Sequence, residues 1–227
     1  MPPKAKPYLP PLLTTTCWDL HWDVKLLNML DLMREDPTKD DVVDLWRVIC
    51  TSILSHDKNS PLSLLNTENF PYPEGEPPYS IVQVVLNECA AGKKKIHLQT
   101  PIFLVLCMGM NDPEKPAWEY AKGKLRAYCK TRIVKSERGG VSRVYAVTGI
   151  GMVAKLWEWD VDKGLLVSLY RIVTFPASLQ RNEERRTFFL GNGYDLGSAK
   201  LFLIIVKGLV LDPGNFKGEE EEKKKRK

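Results

Sequence analysis

Lys115, Lys122, Arg126 and Lys130 follow one another at intervals of seven, four and four residues. On a helix turning 100° per residue they form a narrow stripe beside an apolar side made of Trp118, Ala121, Leu125, Tyr128 and Cys129. A row of cations on one helix edge could follow a phosphate backbone without reading bases, because phosphate contacts carry affinity but no sequence information. The same spacing also suits a solvated basic face whose aliphatic stems cover the edge of a core. Two further basic clusters stand apart from this stripe. Lys93, Lys94 and Lys95 follow Gly92 at an expected helix end, where cations satisfy the last carbonyls; they are also candidates to extend a phosphate-binding surface. Lys223, Lys224, Lys225, Arg226 and Lys227 follow four glutamates. That cluster suits a nuclear import receptor, or a plain solubilising charge block.

No catalytic or metal motif accompanies these cations. His21, His56 and His97 are never four residues from one another, and neither G-x-S-x-G nor a Walker lysine motif occurs. Gly149-Ile150-Gly151 and Gly191-Asn192-Gly193 read as turns, since neither completes the dinucleotide-binding glycine pattern. The five cysteines (Cys17, Cys50, Cys89, Cys107, Cys129) include no C-x-x-C pair and make a poor disulfide framework. Free thiols and a reducing, intracellular compartment are expected. No cofactor and no metal are expected. Trp157 and Trp159 alternate, so they share one face of a strand and read as packing rather than as a base-stacking platform.

The elements that must hold these residues follow from periodicity and punctuation. Trp22, Leu26, Met29, Leu30 and Met33 recur at helical spacing, and Asp36-Pro37 ends that helix. Thr38 and Asp41 approximate a capping box ahead of Val42, Leu45, Trp46, Ile49, Cys50 and Ile53, a second helix. The proline-rich stretch 57–79 reads as a long loop, and Ser80 with Gln83 as the start of a third helix to about Cys89. Ile96 to Met110 reads as one or two strands, the second buried on both faces. Asp112-Pro113 opens a long helix to about Arg132. Val141–Thr148 and Met152–Trp159 form a hairpin, and Leu165–Val173 adds a strand. For residues 199–211 a helix capped by Ser198 and stopped by Pro213 is favoured, with strand as the alternative. The sum is α/β or α+β, a small mixed sheet flanked by helices.

The run Pro101-Ile102-Phe103-Leu104-Val105-Leu106-Cys107-Met108, the helix with Lys124-Leu125 and Tyr128, and Val144-Tyr145-Ala146-Val147-Thr148-Gly149-Ile150-Gly151 resemble the centre of PD-(D/E)XK, or restriction-endonuclease-like, domains. The versions found in uncharacterised fungal proteins are the most similar. The resemblance spans roughly residues 80–160. It implies a buried strand carrying a Glu-x-Lys pair, a helix with a Gln-Leu-x-x-Tyr pattern, and a hairpin with an Ile-Gly turn. Aligned on Pro101, those positions hold Leu106 and Met108, and Lys124 stands where glutamine is usual. No acid lies between Glu88 and Asp112, so the oxygen ligands that a hard cation needs are missing.

Composition bounds the rest. The 227 residues, 44% hydrophobic and 27% charged, suit a globular domain and exclude collagen-like, coiled-coil and wholly disordered chains. The apolar runs are too short for a membrane helix, so a soluble protein without a membrane partner is expected. The net charge of +5 is local: Asp19–Asp57 is acidic, and Lys115–Arg143 holds nine bases against two acids. The expected organisation is a flexible segment over 1–16, one globular domain over 17–216 and a charged tail over 217–227. Within the domain a helical part (17–56), the loop (57–79) and an α/β core (80–216) follow one another. The expected function is that of a non-catalytic nuclease-like module acting on DNA or RNA backbone or as a scaffold. The alternatives are a protein-interaction module using the acidic helical pair, with an unknown protein partner, and a diverged hydrolase. Nuclear residence is favoured over cytoplasmic.

Overall fold

In the computed structural model, residues 24–33, 37–54, 61–70, 76–89, 96–110, 115–133, 143–169, 188–190 and 193–211 are described. Thr38 and Asp41 set the entry to the second helix: the Asp41 carboxylate accepts from the Thr38 amide (2.8 Å), and the Asp41 amide donates back to the Thr38 hydroxyl (3.2 Å). This reciprocal cap satisfies two amides that a helix start leaves orphaned. The chain then forms α1 (Val24–Leu32), α2 (Lys39–Leu54), β1 (Leu62–Phe70), β2 (Tyr79–Cys89) and β3 (Ile96–Met108). After these come α3 (Lys115–Arg132), β4 (Arg143–Ile150), β5 (Val153–Asp160), β6 (Leu165–Ser168), β7 (Phe188–Phe189) and α4 (Gly193–Leu211).

The seven strands make one mixed sheet in the order β1-β2-β3-β4-β5-β6, with β7 also pairing with β5. Only β3 and β4 run parallel, joined by the α3 crossover; all other pairs are antiparallel. Side chains alternate across the sheet. Phe103, Val105 and Cys107 face a core shared with α1, α2 and α4, whereas Leu104, Leu106 and Met108 face α3. Residues 102–108 are all fully buried, as a strand covered on both faces must be. The chain is therefore α+β, a mixed sheet flanked by helices, and no helix among the described residues is long and apolar enough to cross a membrane.

Two expectations are corrected. Residues 62–70, read as loop, form the edge strand β1, and residues 80–89, read as a helix, form β2. Prolines frame β1 without entering it. In β2, Ser80 to Val85 are all buried, which erases the alternation that marks a half-buried strand. Ile96 onward is a single strand, and residues 199–211 lie in a helix that begins at Gly193, ahead of the expected Ser198 cap. β6 ends at Ser168, short of Val173. The segments 1–16 and 217–227 and the start of the first expected helix lie outside the described residues.

Glycine is needed at two points. Gly151, at the β4–β5 turn, has φ +53°, a left-handed conformation that costs an L side chain energy. Gly149 lies under the Trp46 indole of α2: a Cβ there would sit 2.5 Å from Trp46 Nε1.

Candidate nucleic-acid interface

α3 buries Trp118, Ala121, Leu125, Tyr128 and Cys129, the five residues its periodicity predicts. Fully burying one large aliphatic side chain contributes about 1.5–3 kcal/mol, so this face fixes the helix and frames what the rest of it presents. Lys115, Arg126 and Lys130 are exposed and Lys122 is half-buried. No acidic side chain among the described residues pairs with any of the four, whereas Lys39, Lys124, Arg132, Arg143 and Lys163 are each paired. Glu119 is the one acid on the helix. The structure thus brings the predicted stripe together on one edge of α3.

The flank of α3 toward β5 carries an arrangement that the sequence analysis did not foresee. Lys122 Nζ lies 5.4 Å from the centroid of Trp157, and Lys155 Nζ of β5 lies 4.1 Å from that of Trp118. The Trp157 Nε1–H donates to the Thr148 hydroxyl at 3.0 Å, which fixes that ring. Both indoles are 8% exposed. The alternation of Trp157 and Trp159 gave their common face, but only the fold shows that α3 covers it.

The opposite flank, toward β1 and β2, is neutralised. Glu76 accepts from Lys124 Nζ (2.6 Å) and from the Tyr120 hydroxyl (3.0 Å). The Lys124 hydrogen bond, then that of Tyr120, holds the Glu76 carboxyl below its usual range, and the same bond raises Lys124. Glu68 of β1 accepts from Gln83 (2.7 Å) and from the Tyr128 hydroxyl (3.0 Å), with Arg132 3.7 Å away. Burial, reinforced by the bond to Glu68, pushes the Tyr128 phenol well up. Phe70 stacks on Tyr79 and meets Tyr128 edge-on, and Lys124 lies over the Tyr79 and Tyr120 rings. Neither Glu68 nor Glu76 was legible as a partner of the helix, because both belong to a stretch read as loop.

Leu106 and Met108 sit on β3 in the interior of the sheet, fully buried against α3, with Leu106 opposite Ile81. Neither offers a polar atom to a metal or a water. Among the described residues no group of three His, Cys, Asp or Glu side chains is placed to hold a metal ion. Cys50, Cys107 and Cys129 are buried and are not joined in disulfides, and burial raises the Cys50 and Cys107 thiols, away from the nucleophilic thiolate. Lys93, Lys94 and Lys95, the cluster Lys223 to Lys227, His21, His56 and Cys17 lie outside the described residues. On the acidic side, Asp40, Asp41 and Asp44 of α2 are exposed; Asp41 is engaged in the cap and Asp40 pairs with Lys39 at 3.3 Å. Comparison with protein-family models, with curated proteins and with solved structures finds no match to this chain.

Proposed function

We propose that the protein is a non-catalytic, nucleic-acid-associated module, related in architecture to PD-(D/E)XK domains, that holds phosphate backbone along the outer edge of α3. The observation that carries this reading is the row Lys115, Lys122, Arg126 and Lys130, which no acidic side chain among the described residues pairs with, on a helix anchored by the adjoining apolar face. Cations that neutralise phosphates release counterions, which drives binding of any sequence and makes it salt-dependent. The strand–helix–strand unit of β3, α3 and parallel β4, continued into the β4–β5 hairpin, is in keeping with the resemblance. The apolar residues at 106 and 108 speak against metal-dependent cleavage, because burying a charge there would need a partner that the core does not offer.

Replacing Lys122, Arg126 and Lys130 by glutamine tests the reading. The slope of log K against log salt should fall by roughly 2 to 3 and all sequences should weaken alike. Unchanged binding, or no binding by the wild type at low salt, would leave the stripe a solvated face. The scaffold reading through the acidic α1–α2 pair would then take its place. The purified protein should cleave neither plasmid nor RNA with Mg²⁺ or Mn²⁺; cleavage abolished by EDTA would overturn the non-catalytic part. The basic cluster 223–227 supports nuclear residence by way of an import receptor. Its deletion should move a fusion too large to diffuse into the cytoplasm, and an unchanged distribution would remove that part.

A further inference from the structure

We infer that the α3 row takes double-stranded nucleic acid in preference to single strands and holds it by its phosphates alone. This rests on the nucleic-acid reading above and names the substrate class of the same site. Lys122, Arg126 and Lys130 stand about 6 Å apart along the helix axis and together cover about 12 Å. Glu119 falls on the same edge, three residues before Lys122, and separates Lys115 from this run of three. The two strands of a duplex present one charge per ~1.7 Å of axis, so a run of that length meets several phosphates wherever it lands.

What the helix withholds decides between the two forms. Proteins that hold single strands line a basic groove with aromatic rings on which successive bases stack. None of the exposed residues of α3 is aromatic: beside the row, Gly123 and Ala127 occupy the outer side. Trp118 and Tyr128 are 8% and 7% exposed and serve the core, as do Trp157 and Trp159 of β5. Tyr120, half-buried, lies on the neutralised flank, where its hydroxyl donates to Glu76 and Lys124 Nζ lies 5.0 Å from its ring centroid. No ring of α3 or β5 is thus left along the row to take an unstacked base. In a duplex the bases stack on one another and need no such ring, and the phosphates lie outside, where they are contacted without regard to sequence. Neutralising a phosphate also releases more counterion from a duplex than from a single strand, about 0.9 against about 0.7 per contact. With phosphate contact as the sole attraction, the denser charge of the duplex wins.

The test measures binding of the full chain to fluorescent duplex DNA, duplex RNA and unstructured single strands, matched in number of phosphates, by anisotropy across a salt series. A duplex should bind several-fold tighter than the single strands at about 50 mM salt, and the tighter of the two duplexes names the source of the backbone. Replacing Lys122, Arg126 and Lys130 by glutamine should lower the salt slope by roughly 2.7 for the duplex and roughly 2.1 for a single strand, and remove the preference. Ala127→Trp keeps every charge and supplies an exposed ring beside Arg126 and Lys130; it should raise single-strand affinity several-fold and leave the duplex unchanged. Lys163→Gln, off the helix and paired with Asp160, should change neither. Single strands bound as tightly as both duplexes, or more tightly, overturn the inference and leave the phosphate reading in place. An Ala127→Trp variant with wild-type single-strand affinity overturns the argument from the missing ring. If the wild type binds neither duplex nor single strand at low salt, the phosphate reading falls and the inference with it.

Discussion

Adding one methyl group at Gly149 should destabilise the protein out of proportion to its size. Gly149 sits in β4 between Cys107 of β3 and Ala154 of β5, and a Cβ there would lie 2.5 Å from Trp46 Nε1, 3.2 Å from Cδ1 and 3.4 Å from Cε2. Ordinary contact begins at 3.4 Å, so the indole or the strand must retreat by about 0.9 Å. Trp46 is 1% exposed, and α2 is anchored beside it by Val42, Leu45, Ile49 and Ile53. A close-packed interior has no room for that movement. Overpacking costs about 1–3 kcal/mol, and an off-rotamer indole adds about 0.5–1.5 kcal/mol. Relief of glycine's excess chain entropy offsets about 0.5–1 kcal/mol of this. The net loss for Gly149→Ala is about 0.5–4 kcal/mol, or roughly 1–16 °C in Tm for a chain of this size. Urea unfolding followed by circular dichroism measures it, with a double-mutant cycle through Trp46→Phe. The smaller ring removes the clashing nitrogen, which has no hydrogen-bond partner among the described residues. The two changes should therefore couple favourably by 0.5 kcal/mol or more, as contacting residues do, within the usual range of ~0.5–3 kcal/mol. A Gly149→Ala variant as stable as the wild type, or strict additivity with Trp46→Phe, would refute the packing of α2 on β4.

Other expectations follow from the polar groups at the two edges of the sheet. Tyr128→Phe removes one bond to the Glu68 carboxylate and should cost about 1–2 kcal/mol, and Glu68→Ala, which also strands the Gln83 amide, should cost more. Changes under about 0.5 kcal/mol in chemical denaturation would show that this cluster is incidental. Glu158 is buried on β5 with one oxygen unpartnered, facing Arg143, Tyr145, Asp160 and Lys163. Burial raises its pKa and Arg143 only partly counters this, so the folded state holds the Glu158 proton more tightly than the unfolded chain. The stabilisation from that group is complete below the ordinary carboxylate range and lost as pH rises through the raised value. Glu158→Gln should accordingly gain on the wild type as pH rises above the ordinary carboxylate range. A stability difference that stays constant over that rise would contradict the assignment.

What the sequence made legible, and what it did not, has a physical pattern. α2 and α3 were readable because each has one buried stripe and a polar remainder, and the Thr38–Asp41 cap is local chemistry. β3 was readable because a strand covered on both faces is a continuous apolar run. β2 shares that environment, but Ser80 and Gln83 mimic a helix start; their side chains instead reach Asn69 and Glu68 on β1. The β-branched Ile81, Val82, Val84 and Val85 were the better signal. The α3 stripe could be placed because its spacing is helical. The Lys122–Trp157 and Lys155–Trp118 contacts could not, since residues 118–122 and 155–157 meet only through the packing of a crossover helix on its sheet.

Lysine footprinting with and without nucleic acid tests the central claim most directly. The full chain is acetylated briefly at low salt, free and with excess duplex or single-stranded oligonucleotide, and modification is quantified at each lysine. Nucleic acid should protect Lys115, Lys122 and Lys130 together and leave Lys39 and Lys163 unchanged, and the protection should vanish as salt is raised. Equal modification of Lys115, Lys122 and Lys130 with and without nucleic acid, or protection confined to lysines off α3, would contradict it.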